Sequence, residues 1–322
     1  MANDMLTIHF LNVGHGDSTI IEFPSGRVAM IDINNSKVLD DETASELAEA
    51  HNYKISYDFF KSLGAKDKQA REYEEKYLTD PVDYYISRYG KGREIFRFIA
   101  THPDMDHLTG LYRLNQEIQI LNFWDTLHSV EKSDDPSDWE DTGYDIRDWR
   151  AYLKLRESES TPKALFYKAG DVNKYYDEDG VSIWAPFDHD QSVSEDDKIN
   201  LLSYILYIVY GNCAVLLGGD SLSETWEAIY DAAKGELPKI GLLKAPHHGR
   251  KSGYYGPAIK ATAPDYTVVS VGKLRKKDDA FASYEKYSGK GCFSTRFEGN
   301  ITAFCFSSGS VFLYDQSYKQ IT

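Results

Sequence analysis

The 322-residue sequence predicts an α/β fold. Three observations carry that reading. Apolar runs of strand length fall into two groups, one near the start and one in the second half, with helix-period patterns beside them. Two long polar and aromatic stretches separate those runs. Several apolar runs end in histidine or aspartate, where a rigid sheet can present a ligand at its rim.

The first strands fall at 7–13, 19–23 and 28–31, and the turn Pro24-Ser25-Gly26-Arg27 joins the last two as a hairpin. From about residue 36 to 93 the chain becomes charged and aromatic, with helices predicted at 42–51, 57–63 and 66–77. Asp80 can cap a further helix that has Pro81 at its first position. Tyr53, Tyr57, Tyr73, Tyr77, Tyr84, Tyr85 and Tyr89 make this helical insertion suited to a lid or to docking a protein partner. An apolar strand follows at 95–100. A second insertion, of mixed loop and helix, spans about 125–180. Within it 129–145 is rich in Asp, Ser and Pro, and 146–157 reads as a helix with Trp149, Tyr152 and Leu155 on one face. Strands are then expected at 181–184, 203–210, 213–217, 240–244 and 266–271, with helices at 222–233 and 255–261. Strands at 292–297, 301–307 and 310–314 close the chain, which reads as one domain, 1–322, carrying two insertions.

Composition excludes some classes. A hydrophobic content of 42% is enough for a full core. No run of eighteen apolar residues occurs, so no membrane span is expected. The start, Met1-Ala2-Asn3-Asp4, has no basic region and enters a strand directly, so no secretion signal is expected. Cys213, Cys292 and Cys305 lack paired spacing and read as core thiols in a reducing cytoplasm. The net charge of −15 argues against a broad cationic surface that tracks nucleic-acid backbones. It still allows a nucleotide or a single strand to enter a cationic slot.

The densest chemistry is Thr101-His102-Pro103-Asp104-Met105-Asp106-His107, directly after the 95–100 strand. Imidazoles and carboxylates packed this closely are most simply satisfied by a divalent cation. Two further strands end the same way. Val215-Leu216-Leu217-Gly218-Gly219-Asp220 ends in an aspartate, and Leu242-Leu243-Lys244-Ala245-Pro246-His247-His248-Gly249 ends in paired histidines. An aspartate after two glycines is by itself as easily a turn residue. The ordered set of three is the signal.

Those motifs resemble the metallo-β-lactamase fold superfamily, in the branch typified by the hydrolase domain of the DNA-uptake protein ComEC. Phe10-Leu11-Asn12-Val13-Gly14-His15-Gly16-Asp17-Ser18 is similar to that branch's first loop, with His15 where glutamine is usual. Val28-Ala29-Met30-Ile31-Asp32 is similar to its strand ending in aspartate. The ligand loop has the branch's His-x-Asp-x-Asp-His in place of the superfamily's His-x-His-x-Asp-His. Asn200 to Ser203, Gly219-Asp220 and Pro246 to Gly249 continue the likeness. The loop after the 266–271 strand departs from it, having four cations, Lys273, Arg275, Lys276 and Lys277, where the branch often has a histidine.

The resemblance implies a four-layer αβ/βα sandwich with metals at one edge between the sheets. It implies that His102 and Asp104 hold one cation, with Asn200 as a weak neighbour. Asp106, His107 and one of His247 and His248 would hold a second, and Asp220 would bridge. The sequence leaves open which paired histidine is the ligand; the other, like Asp106 and Asp220, would then take a catalytic part. The carboxylate of Asp104 hardens its site, so Mn²⁺ and Mg²⁺ join Zn²⁺ as expected cofactors. Two such ions can hold a hydroxide between them. His15, Lys244, Arg250, Lys251 and Lys273 are the expected substrate contacts. His15 is expected to face substrate or support a ligand, not to bind metal itself. The leading reading is a phosphodiesterase or nuclease acting on a phosphate-containing small molecule or nucleic acid. A hydrolase of esters, thioesters or lactones, and a partner-regulated effector that is inactive alone, stand as alternatives.

Overall fold

Side chains alternate between two buried environments along most strands of this chain, and that alternation builds the layers. The computed structural model describes residues 4–35, 77–188, 196–271 and 276–322. Strands β1 Met5–Phe10, β2 Thr19–Glu22, β3 Val28–Ile31, β4 Arg97–Ile99, β5 Asn122–Asp125 and β6 Lys163–Phe166 lead the chain. They are followed by β7 Val181–Ala185, β8 Ile205–Tyr210, β9 Cys213–Leu217, β10 Leu242–Lys244, β11 Tyr266–Val269, β12 Gly291–Ser294, β13 Ile301–Phe306 and β14 Val311–Tyr314. An eight-stranded sheet runs β14-β13-β1-β2-β3-β4-β5-β6, and a six-stranded sheet runs β12-β11-β10-β9-β8-β7.

Leu6, Ile8, Phe10, Ile21, Ile31, Ile99 and Trp124 of the larger sheet share one cluster with Val215, Leu217, Leu242 and Val268 of the smaller. The alternate residues Ile20, Met30, Phe98 and Phe123 point the other way, onto the helices Pro81–Tyr89, Leu111–Glu117 and Ile146–Arg156. Leu216, Leu243 and Val269 likewise point onto Ser223–Ala232, Gly256–Thr262 and Phe281–Tyr287. The result is helices, sheet, sheet, helices: the expected αβ/βα sandwich. Strands buried on both faces read as near-continuous apolar runs, as β3 and β9 do. Each fully buried Leu, Ile, Val or Phe contributes about 1.5–3 kcal/mol relative to exposure.

The helix at Pro81 forms as its sequence requires. Asp80 accepts from the Val82 and Asp83 amides, and Pro81 fills the first turn. Ile146–Arg156 is capped by Asp145 and buries Trp149, Tyr152 and Leu155. β3–β4, β9–β10 and β10–β11 are parallel pairs, so their carboxyl ends lie side by side. That edge carries the ligand-type residues.

Some expectations are corrected. The second insertion is not only loop and helix, because Lys163–Phe166 pairs with β5 as the edge of the larger sheet. Its side chains are only half-buried, so it lacks the alternation that marks the other strands. The strand expected at 292–297 stops at Ser294, whose hydroxyl accepts from the Arg296 amide and starts a helical turn. The helices expected at 42–51 and 57–63, and nearly all of that at 66–77, lie outside the described residues. Cys213 and Cys305 are buried free thiols, and Cys292 is half-buried. Among the described residues no helix is long and apolar enough to cross a membrane.

Candidate metal centre

Four strand ends deliver the site. β3 leads to Asp32, β4 to His102 and the turn Met105–His107, β9 to Asp220, and β10 to the paired histidines. The turn after β4 is fixed by Asp104, whose carboxylate accepts from the Met105 amide at 2.7 Å. Gly219 has φ +51, and a Cβ there would stand 2.8 Å from the Tyr204 carbonyl oxygen, so this position needs glycine. Asp32, His247 and His248 also have left-handed φ, at 55°, 49° and 52°. Non-glycine residues held this way cluster where the surroundings over-determine the backbone.

The side chains converge. His248 Nε2 lies 3.1 Å from Asp220 Oδ2 and 3.3 Å from Asp106 Oδ2. His107 Nε2 lies 3.4 Å from Asp220 Oδ2. Asp17, His107, Asp220 and His248 each offer a ligand atom within 4.8 Å of the others, as do His15, Asp106 and His248. All four of the first group are buried. The other ring nitrogen of His102, His107 and His248 has its own partner. His107 Nδ1 donates to Asp32 at 2.8 Å and His248 Nδ1 to the Ser270 carbonyl at 3.1 Å, while His102 Nδ1 meets the Thr101 hydroxyl at 3.1 Å. Asp32 is further held by the Thr101 amide and hydroxyl, both at 2.7 Å. Such outer contacts fix ring orientation and tautomer.

The facing atoms are left over. His102 Nε2, His107 Nε2, His248 Nε2, Asp220 Oδ1, Asp17 Oδ1 and Asn200 Oδ1 are buried without a hydrogen-bond partner. Buried polar atoms are rarely orphaned, and this set consists of the donor types that suit Zn²⁺ and harder divalent cations. The residues therefore fit a metal. Their protonation tells the same story. Burial opposes the charged form of every group here, yet the surrounding carboxylates, Asp220 first, hold His248 up at about 10 and His107 well above its ordinary value. Burial likewise opposes ionised Asp220 and Asp106, but the imidazoles, His248 foremost for Asp220 and His107 for Asp106, hold both carboxyls below the usual range.

Expected residues fall in different places. His248, not His247, stands within both candidate groups. His247 lies to one side, its Nε2 4.0 Å from Asp220 and its Nδ1 2.8 Å from the Ser252 hydroxyl. Burial, with His248 nearby, lowers it to about 4. His102 is fully buried with its ring 4.3 Å from that of His107, while Asp104 is half-buried. Asn200 is half-buried, and Ser203, three residues on, accepts from the Asp220 amide at 3.3 Å. Lys244, expected to touch substrate, is instead buried and paired with Asp17. Its long side chain runs inward from β10, and Asp17, Asp220 and Asp32 keep it charged against burial. Arg250 reaches His15, Nη2 to Nε2 at 3.3 Å, and Lys251 is exposed with its ammonium on the Lys277 carbonyl at 2.7 Å. Lys273 lies outside the described residues. Asp17 and Asp32 also stand at this edge, a part that their sequence motifs do not announce by themselves. The rule that found Asp220, a polar residue ending an apolar strand, also selects Asp32.

No protein-family model matches the sequence, and no curated protein matches it. Similar solved structures include a variant of the CmlA beta-hydroxylase, at 12% identity and TM-score 0.47, covering 94% of this chain and 54% of that one. This chain thus spans about half of that protein's length. They also include a metal-dependent hydrolase of the beta-lactamase superfamily, at 14% identity and TM-score 0.41, covering 89% of this chain and 94% of that one. Unliganded yeast PDE1 is similar at 14% identity and TM-score 0.40, covering 92% of this chain and 99% of that one.

Proposed function

We propose that this chain is a dinuclear metal-dependent hydrolase that cleaves phosphodiesters, as a phosphodiesterase or nuclease of the ComEC-like kind. One observation carries the reading. Asp17, Asp32, Asp104, Asp106 and Asp220 gather at one sheet edge with Lys244 as the ammonium among them, and the histidine nitrogens facing them are orphaned. Five carboxylates outnumber the Lys244 ammonium and the Arg250 guanidinium beside His15, so the edge stays net negative when the imidazoles are neutral, a balance that divalent cations would restore. Burying such charge without compensation is prohibitive.

His102 and Asp104, with Asn200 beside them, would hold one ion; Asp106, His107 and His248 the other; Asp220 would bridge. Zn²⁺ or Mn²⁺ fits this mixture of imidazole and carboxylate, with Mg²⁺ as a harder substitute. When bound, the ions would polarise the scissile phosphoryl group and make water acidic enough to attack at neutral pH. The protein's own groups do the rest. Asp32, Thr101 and Ser270 keep the ligand rings aimed. Burial lowers His247 to about 4, so at pH 7 it would be neutral, and with Nδ1 accepting from the Ser252 hydroxyl it would offer Nε2–H to a substrate oxygen. Arg250 and Lys251 would meet the phosphate at the mouth; Lys273, outside the described residues, is the further contact proposed from the sequence.

A substrate panel tests this: bis-aryl phosphodiester, DNA, RNA, aryl ester, thioester and lactone, each with Mn²⁺, Mg²⁺ and Zn²⁺. Phosphodiester cleavage with Mn²⁺ or Zn²⁺ is expected. Turnover confined to esters, thioesters or lactones would replace the phosphate reading, and no turnover with any metal would remove the enzyme reading.

A further inference from the structure

We infer that His15 is itself a metal ligand in this chain, joining Asp106 and His248 around one cation. The inference rests on the dinuclear reading above and reverses the expectation that His15 only faces substrate.

Distances come first. His15 Nε2 lies 3.8 Å from Asp106 Oδ2, and its ring centroid lies 5.1 Å from that of His248. One ligand atom from each of the three falls within 4.8 Å of the others. Atoms bound at about 2.0–2.2 Å to one tetrahedral cation stand roughly 3.3–3.6 Å apart. The His248–Asp106 separation of 3.3 Å meets that already, and the 3.8 Å between His15 Nε2 and Asp106 Oδ2 has only to shorten slightly to match it.

The loop that carries His15 is fastened to the turn that carries Asp106. The Asp17 amide donates to the Asp106 carbonyl at 3.2 Å, and the Asn34 side chain donates to the His15 carbonyl. Gly16 between them has φ +125, and a Cβ there would collide with the Asp106 carbonyl oxygen and the Asn34 amide. His15 is therefore delivered to Asp106 by a clamped backbone. Its side chain is the partly exposed one of the three, so it closes the coordination shell from the solvent side.

Arg250 sharpens the point. Its Nη2 lies 3.3 Å from His15 Nε2, the nitrogen a cation would use. A cation at that nitrogen displaces the guanidinium and frees it for a substrate anion, so metal loading prepares the substrate contact.

Cobalt(II) titration, followed by calorimetry and by the visible absorption of the ion, tests this without any substrate. The wild-type chain should bind two Co²⁺. His15→Gln should keep its circular dichroism and weaken one of the two sites at least tenfold, with a changed absorption band. His15→Asp should restore that site and shift its preference from Co²⁺ toward Mn²⁺, because a carboxylate is the harder donor. Arg250→Ala should bind at least as tightly as wild type. Unchanged affinity and spectrum in His15→Gln, with two ions bound, would overturn this inference alone. A wild-type chain that binds no cobalt would overturn the dinuclear reading and this inference with it.

Discussion

His107 donates Nδ1–H to Asp32 Oδ2 at 2.8 Å, and this single contact turns Nε2 toward Asp220, 3.4 Å away. Asp32 does this from a left-handed backbone at φ 55, immediately after β3. Asparagine tolerates that conformation better than most residues. Asp32→Asn should therefore keep the fold while presenting the wrong group to His107. Metal affinity should fall about tenfold to a hundredfold, as for other outer partners of ligand histidines. Calorimetric titration checks it, with circular dichroism as the control for folding.

Asp220→Ala, and the double change Asp106→Ala with His107→Ala, should abolish hydrolysis and leave the chain folded. These residues end or follow strands at the sheet rim, and none belongs to the three apolar clusters. Turnover of the best substrate from the panel and far-ultraviolet circular dichroism are the two readings. Wild-type turnover would refute the site, and loss of structure would make the cations structural instead of catalytic.

Saturating Mn²⁺ or Zn²⁺ should load two ions per chain by elemental analysis. Loading should also raise the unfolding temperature, because ligands that bind only the native state stabilise it by about 2.7 kcal/mol at a hundredfold excess over Kd. Chelation should reverse the rise. A melting curve unmoved by metal, with no ion retained, would count against the centre.

A second, partly buried cluster predicts a pH effect away from the candidate metal centre. Glu22 at the end of β2 accepts from His9 at 3.0 Å, from Arg88 Nε at 2.9 Å and from the Tyr89 hydroxyl at 2.9 Å. Burial alone would raise its pKa, but the His9 hydrogen bond and the Arg88 charge hold it at about 2. The folded value lies below the unfolded one. Its stabilisation is thus complete above the ordinary carboxylate range and is lost as pH falls through about 2. Glu22→Gln should cost about 2 kcal/mol at pH 7 after allowance for partial exposure, and the gap to wild type should close as pH falls from about 4.5 toward 2. Urea unfolding across that range measures it. A gap that stays constant would mean that the carboxylate's charge is not what matters.

The parts of this fold legible in the sequence are those written in apolar periodicity. Cys213–Leu217 and Val28–Ile31 were bounded correctly because both faces are buried and the runs stop abruptly. Asp80-Pro81 announced its helix through capping chemistry that is local. Lys163–Phe166 was not legible, since an edge strand with half-buried side chains carries no period. At the centre, the residue types that come together were readable from sequence, but their directions were not. Nothing in the string His247-His248 says which ring turns inward; the left-handed φ at both positions and the carbonyl of Ser270 decide it. Lys244 was misjudged for the same reason, because Asp17 lies 227 residues away along the chain.

His102, His107, Asp220 and His248 are each at most 3% exposed, whereas Asp106 is half-buried and His15 exposed. An ion held among them would meet solvent only on the side of Asp106 and His15, where the backbone is fastened by the Asp17 amide on the Asp106 carbonyl. Exchange of a bound cation with a chelator should therefore be slow compared with that at a surface carboxylate site, and stopped-flow mixing with excess chelator would measure it.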